Sequence, residues 1–297
     1  MSKDSFAGFH PVINMLYFVV VIGFAMFLMH PVCLTVSLFC AAAYSIYLSG
    51  KKAIRAGMLF MLPMLIFTAL LNPLFNHQGG TILAYLPNGN PITLESIAFG
   101  IAAAVMLITV IAWFYCLNSV MTSDKFVYLF GRVIPALSLI LSMSLRLVPR
   151  YNAQIKVIYD AQKCIGQNAL NGNLLVKARL GIKILSILVT WALENAIETA
   201  DSMKSRGYGL PGRTAFSIFS FQRRDIYALA YIFICFVTII IGLLMGGYHF
   251  RYFPTIRGQW NGADTITIFA AYFALGILPL VINMKEDLIW KRIKSKI

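Results

Sequence analysis

Six stretches of the chain are almost entirely apolar, and more polar segments separate them. They lie at about 13–29, 32–48, 54–71, 94–117, 226–246 and 265–284. Each has roughly the 17–25 residues that an α-helix needs to cross about 30 Å of hydrocarbon. None carries a charge near its centre. The pattern therefore predicts an all-α polytopic membrane protein with about six transmembrane helices.

Composition excludes an ordinary soluble domain. Hydrophobic residues make up 59% of the chain and charged residues 12%, whereas soluble domains have about 45–50% and about 25%. The lipid bilayer is therefore the first partner that the sequence implies. The first apolar stretch is interpreted as a retained anchor, since no strongly basic segment precedes it and a second stretch follows at once.

Basic residues are distributed unevenly among the connections. The segment 118–225 has fourteen Lys and Arg against six acidic residues, and further basic residues follow the second and the last apolar stretch. The connections 72–93 and 247–264 hold only Arg251 and Arg257. Because positive charge favours the cytoplasmic side, both termini and the segment 118–225 are predicted to be cytoplasmic.

This pattern divides the chain into three regions. Residues 1–117 are predicted to form the N-terminal transmembrane helices, 118–225 a cytoplasmic module of long amphipathic helices, and 226–297 the C-terminal transmembrane helices with a basic tail. An external hairpin is predicted near 72–93, where turn residues flank the strand-like run 81–86.

Charge and chemistry exclude several functions. The net charge of +14 is spread over several loops without a nucleic-acid-binding module, so topology explains it better than a nucleic acid does. The five cysteines show no CxxC spacing, and the four histidines form no ligand motif. No metal site and no bound cofactor are predicted.

The cytoplasmic module contains two predicted helices, at about 133–166 and 174–206. Arg146 and Arg150 lie four residues apart and share one face of the first helix. Acidic residues share one face of the second helix, namely Glu194, Glu198 and Asp201. One interpretation is that these faces pair where the helices cross. The other is that both faces are solvated.

The second helix ends at Arg206 and Gly207, and glycine is typical of a helix C-terminus. Gly207, Gly209 and Gly212 also have the spacing G-x-G-x-x-G. That spacing binds a nucleotide only between a buried strand and the start of a helix. Here the glycines follow a helix and Pro211 interrupts them, which favours a glycine-terminated helix that presents Arg206 to the cytoplasm.

Two runs of this module resemble the two signatures of the transmembrane T component of energy-coupling factor (ECF) transporters, the EcfT/CbiQ family. They are LRLVPRYNAQIKVIYDAQKCIG at 145–166 and SMKSRGYGLPGRT at 202–214. In the family the first signature normally ends in Ala-Gln-x-x-Arg-Gly, and the second in Ala/Ser-Arg-Gly. The order of the apolar stretches and of the hairpin is also similar to that family.

The resemblance implies a non-catalytic coupling subunit of an ABC importer in a bacterial or archaeal cell membrane. Two cytoplasmic ABC ATPases would bind the ATP and dock on the two helix ends. A small membrane-embedded substrate-binding S subunit would carry a vitamin or a transition-metal ion such as cobalt or nickel. A membrane scaffold and a stand-alone secondary transporter are the alternatives.

The docking residues are carried over by position. The second signature is intact in Ser205, Arg206 and Gly207. The first departs from the family pattern, because Ile165 stands at the arginine position. Its implied docking residues are Gln162, Lys163, Cys164, Ile165 and Gly166.

Overall fold

The computed structural model describes residues 4–85, 90–166, 174–208, 210, 219–248, 250–258 and 262–294. Gly209, Pro211 and Gly212 of the predicted glycine-rich loop lie outside the described residues. The chain divides into two compact units. We call Met1–Thr122 with Phe219–Ile297 the membrane unit, and Ser123–Ile218 the helical unit.

Helices dominate both units. The membrane unit contains α1 (Pro11–Phe27), α2 (Pro31–Ser49), α3 (Lys51–Ala56), α4 (Leu62–Phe75) and α5 (Leu94–Val120). The helical unit contains α6 (Ser123–Val133), α7 (Pro135–Cys164) and α8 (Leu174–Ser205). The chain then returns to the membrane unit with α9 (Arg223–Leu244) and α10 (Ala263–Lys294).

The six predicted transmembrane stretches all coincide with helical segments. Five of these segments are long and apolar enough to cross a membrane. One of the five is the continuous run Lys51–Phe75, in which a π-helical turn joins α3 to α4. The remaining stretch, which comes first in the chain, corresponds to Pro11–Phe27, an apolar helix of 17 residues. The prediction of an all-α multi-pass membrane protein is confirmed.

Histidine and proline begin two of these helices. His10 and His30 are the N-caps of α1 and α2, and each is followed by a proline at the first helical position. The imidazole Nδ1 atoms accept hydrogen bonds from the N–H groups of Val12 (3.3 Å) and Val32 (3.2 Å). Capping satisfies N–H groups that have no partner within the helix. These two histidines, isolated in sequence, therefore have a structural role.

Aromatic side chains form the centre of the membrane unit. Phe6, Tyr17, Tyr44 and Trp113 are fully buried, and the Phe6 and Tyr17 rings meet edge to face at 5.2 Å. The indole N–H of Trp113 donates to the hydroxyl of Ser37 at 3.0 Å. Helices α1, α2 and α5 thus share one core, which the short helical turn before α1 completes.

The segment before α1 also connects two distant helices. The Asp4 carboxylate accepts hydrogen bonds from Asn283 Nδ2 of α10 (2.6 Å) and from the Tyr44 hydroxyl of α2 (3.0 Å). Asn283 Oδ1 in turn accepts from the backbone N–H groups of Ser5 (2.8 Å) and Phe6 (3.2 Å). We call this set of contacts the N-terminal clasp.

Two small antiparallel hairpins complete the membrane unit. Strand β1 (Ile82–Tyr85) pairs with β2 (Pro91–Thr93), and β3 (Phe250–Arg251) pairs with β4 (Arg257–Gly258). The N–H of Gly80 donates to the carbonyl oxygen of Pro254 at 3.0 Å, which ties the two connections together. Strand β1 lies in the run 81–86, as predicted; its location outside the cell stays a prediction.

In the helical unit, α6 packs on α7 and α7 on α8. Helices α7 and α8 correspond to the two predicted amphipathic helices, whereas α6 was not predicted. Ile134 is extended between α6 and α7, because the proline that follows it disfavours a helical backbone there. The unit is shorter than the predicted module 118–225, since α5 continues to Val120 and Arg223 already belongs to α9.

Candidate partner-docking site at two helix ends

Helix α8 ends in a left-handed glycine. Gly207 has a φ of 78°, and its N–H donates to the carbonyl oxygen of Lys204 at 3.1 Å. The N–H of Tyr208 donates to the carbonyl oxygen of Met203, also at 3.1 Å. These two bonds define a Schellman cap. Arg206 occupies the last position before the glycine, and its side chain is exposed.

Helix α7 also ends in a left-handed glycine. Gly166 has a φ of 83°, and its N–H donates to the carbonyl oxygen of Lys163 at 3.1 Å. Ile165 stands immediately before this glycine and is 70% exposed. Cys164-Ile165-Gly166 of α7 therefore matches Ser205-Arg206-Gly207 of α8, position by position in the helix cap.

The two ends differ in the side chain that the cap presents. Arg206 gives the end of α8 a permanent positive charge on a planar group with five N–H donors. Lys204 and Lys163 are both exposed and lie two residues before Arg206 and Ile165, so they do not distinguish the two ends. Ile165 gives the end of α7 an exposed apolar side chain. Gln162, one turn earlier, is 7% exposed, and its side-chain oxygen has no hydrogen-bond partner among the described residues. Gln162 is thus a buried residue.

An aromatic and polar contact joins α7 to α8 between these ends. The Arg150 guanidinium donates to Asn195 Oδ1 at 2.7 Å and lies over the Trp191 ring at 5.3 Å. Tyr151 meets Trp191 edge to face at 5.8 Å. Asn195 is itself held by a bond from its Nδ2 to the Trp191 carbonyl oxygen at 2.9 Å. We call these four residues the helix crossing.

The acidic face of α8 takes no part in this contact. Its three carboxylate residues are exposed, and no ion pair joins them to Arg146 or Arg150 within the parts of the chain that the structure describes. Arg150 instead uses Asn195, next to Glu194 but about 100° further around the helix. Of the two interpretations of this face, the solvated one fits the exposed positions of Glu194, Glu198 and Asp201.

Sequence reasoning singled out Arg150 but missed its partners. Tyr151, Trp191 and Asn195 belong to no sequence motif. The one sequence feature that could have indicated the contact is that each of the two amphipathic helices has an aromatic residue. For metals, no group of three or more His, Cys, Asp or Glu among the described residues is placed to hold an ion. Four of the cysteines are buried, and Cys164 is exposed.

A match to a known family model identifies the family of this chain. Residues 8–218 match the family model CbiQ, which is described as a cobalt transport protein. The chain belongs to the CbiQ family. The match to CbiQ includes both helix ends and stops before α9.

Several relatives carry the name energy-coupling factor transporter transmembrane protein EcfT. Those from Lactobacillus helveticus (strain DPC 4571) and Lactococcus lactis subsp. cremoris (strain MG1363) are 33% and 37% identical over 37% and 35% of this chain. The chain spans only 38% and 40% of the length of these two relatives. The protein from Streptococcus equi subsp. equi (strain 4047) is 28% identical over 68% of this chain and 74% of its own length.

These relatives confirm the resemblance to the transmembrane component of ECF transporters that the two signatures indicated. As a CbiQ family member with several apolar helices, the chain is a multi-pass membrane protein. The docking role of the helix ends stays a prediction.

Proposed function

We propose that this chain is the coupling subunit of an ECF-type ABC importer, in which two cytoplasmic ATPases dock on the ends of α7 and α8. The observation that carries the proposal is the matched pair of exposed caps. A left-handed glycine stops each helix abruptly and leaves the preceding side chain, Ile165 or Arg206, at the tip. Such a tip is suited to insertion into a groove of a partner.

The helix crossing suits the transmission of force. From Arg150 to the tip of α7 is about 22 Å, and from Asn195 to the tip of α8 about 16 Å, at 1.5 Å per helical residue. Because side chains of both helices interlock at the crossing, movement of one tip is passed to the other helix. In the proposed cycle, ATP binding by the partners moves the tips, and this chain contributes no catalytic group.

The exposed surface of α8 supports a further partner in the membrane. Ile182, Leu185, Val189 and Leu193 are between 49% and 69% exposed and follow one another at intervals of three or four residues. This spacing places them along one stripe of the helix. Apolar surface of this kind needs a cover other than water. In the proposal, the S subunit and lipid provide that cover.

The remaining parts of the proposal follow from the family. Both termini and the helical unit lie on the cytoplasmic side of a bacterial or archaeal cell membrane, with the apolar stripe of α8 against the membrane surface, and the basic residues next to the spans support this orientation. The transported substrate is a vitamin or a transition-metal ion, and the S subunit selects it.

Purification of the tagged chain from its native membrane in mild detergent tests the proposal. Mass spectrometry of the co-purifying chains is expected to find ABC ATPase subunits and a small hydrophobic protein. Recovery of the chain alone, under conditions that keep other membrane complexes intact, would reject the coupling role and favour a scaffold or a single-chain transporter.

A further inference from the structure

We infer that the two helix ends recognise chemically different ATPase sockets: an uncharged apolar socket at the end of α7 and a carboxylate-bearing socket at the end of α8. This inference rests on the proposed function and extends it. Two non-identical ATPase surfaces, in a fixed arrangement, follow from it.

The two caps are equivalent in backbone geometry. Both end in a glycine with a φ near 80°, namely 83° at Gly166 and 78° at Gly207. In both, the N–H of this glycine bonds to the carbonyl oxygen three residues earlier at 3.1 Å. Ile165 and Arg206 therefore occupy the same position relative to their helices, so a difference in recognition comes from their side chains and not from the backbone.

Charge distinguishes the sockets that the two ends can bind. A carboxylate in a protein interface is stable when a cation pairs with it, and a guanidinium does so through two parallel hydrogen bonds. Arg206 supplies this group at the end of α8. Opposite Ile165, the same carboxylate would be desolvated without a partner, which is strongly unfavourable. The end of α7 therefore rejects an acidic socket, and the end of α8 rejects an apolar one.

Lys163 does not replace the missing arginine. It is exposed and lies two residues before Ile165, which is about 200° around the helix. Its ammonium group also lacks the planar fork that pairs with both oxygens of a carboxylate. The tip of α7 thus presents an apolar side chain with the nearest charge on another face.

Two equivalent positions allow each end to be probed alone. Cys164 directly precedes Ile165, as Ser205 directly precedes Arg206, and the other four cysteines are buried. In the purified complex, a maleimide that carries a photoreactive group can be attached to Cys164. In a matched variant, Cys164→Ser with Ser205→Cys, the same reagent reports on the end of α8. Mass spectrometry identifies the chain captured from each position.

We expect the two positions to capture two different ATPase chains. Ile165→Arg should reduce capture from Cys164 at least tenfold, whereas Ile165→Leu should leave it unchanged. In the matched variant, Arg206→Ile should reduce capture from residue 205 at least tenfold, and Ile165→Arg should not change it. Gel filtration and recovery of the membrane-inserted protein check that each variant folds, which the 70% exposure of Ile165 favours.

Two results would overturn the inference and leave the proposed function in place. One is capture of the same ATPase chain from both positions. The other is unchanged or stronger capture from Cys164 when Ile165 becomes arginine, because that result requires an acidic socket. If no ATPase is captured from either position, the proposed function itself is wrong, and the inference with it.

Discussion

The membrane unit and the helical unit are both helical, but α1 of the first and α8 of the second bury very different shares of their side chains. Eight residues of the 17-residue helix α1 are buried, whereas in the 32-residue helix α8 only Leu180 is. Helix α1 belongs to an aromatic core, whereas the contacts described between α7 and α8 are the polar and aromatic ones of the helix crossing. Helix α1 packs within its own unit, whereas α8 leaves most of its surface available for contact with something else.

The polar contacts of the two units also differ in how deeply they are buried. In the membrane unit, Asn283 and Tyr44 are fully buried and share Asp4. In the helical unit, Arg150 is exposed although it bonds to Asn195. A buried hydrogen bond stabilises the fold because leaving its groups unpaired is costly. An exposed one mainly sets geometry. Substitutions in the two units should therefore separate stability from transport.

The largest effect is expected at the tip of α8. Arg206→Glu should abolish coupled uptake and reduce the recovered ATPase at least tenfold, because loss of one partner of a buried charge pair costs about 2–5 kcal/mol. Thermal unfolding of the purified chain should not change, since the Arg206 side chain is exposed and Schellman caps depend on the glycine. Uptake of the substrate bound by the co-purified S subunit measures the first effect.

A matched charge reversal controls for net charge. Lys291 is exposed in the last turn of α10, and Lys291→Glu should leave ATPase recovery within about twofold. Arg206→Lys keeps the charge but not the planar fork and should lie between the two. Normal uptake by Arg206→Glu would remove the α8 tip from the mechanism.

The next effect is expected at the helix crossing. Trp191→Ala removes the ring that faces both Arg150 and Tyr151 and should destabilise the helical unit by about 2–3 kcal/mol. Hydrogen exchange should accelerate in α7 and α8 and stay unchanged in α1. As the control, Trp290→Ala removes an indole that is 60% exposed at the end of α10. Equal protection of α7 and α8 in wild type and Trp191→Ala would show that the crossing contributes no stability.

Most of the helices in both units could be predicted from the sequence. Apolar runs of about twenty residues have few structural solutions in a bilayer, so the positions of six helices followed from hydropathy. The amphipathic α7 and α8 were predicted within a few residues. Helix α6 was missed because it has only 11 residues and a proline begins the next helix two residues after its end. The N-terminal clasp joins Asp4 to Asn283, and no local pattern reveals a pair so far apart in sequence.

The candidate site was predictable only in part. Glycine after a helical pattern predicted the end of the second helix, and α8 ends at Ser205, two residues before Gly207. The end of the first helix was predicted only at about 166, and α7 ends at Cys164. Side-chain partners across the crossing depend on the rotation of each helix about its axis. A change of about 100° exchanges Asn195 for Glu194, and the sequence does not fix such an angle. Of the two interpretations left open by the sequence, the pairing of charged faces is not seen, and Arg150 contacts an amide and a tryptophan instead.

A smaller effect is expected from the N-terminal clasp, and it tests the buried side of the comparison. Asp4→Ala leaves the buried Asn283 and Tyr44 without their shared acceptor and should destabilise the membrane unit by about 1–2 kcal/mol. Helix α2 offers the control, because Tyr47, one turn after Tyr44, donates to Asp287 at 2.7 Å in an exposed pair. Asp287→Ala should cost less than about 0.5 kcal/mol. Thermal unfolding in detergent measures both, and equal losses would mean that burial does not separate them.

The smallest effects concern the caps on which the equivalence of the two tips depends. Gly166→Ala and Gly207→Ala should each destabilise their helix end by about 1 kcal/mol, because L-residues avoid a positive φ. Gly181 lies within α8 without a positive φ, and no atom lies within 4 Å of an added Cβ. Gly181→Ala should therefore stabilise the helical unit by about 0.5–1 kcal/mol. Hydrogen exchange of the last turns of α7 and α8 measures the effect of the two cap substitutions, and hydrogen exchange of the turns around Gly181 measures the effect of the third. If Gly166→Ala stabilised α7 as Gly181→Ala does α8, the left-handed cap would not form in solution, and Ile165 would no longer occupy the position of Arg206.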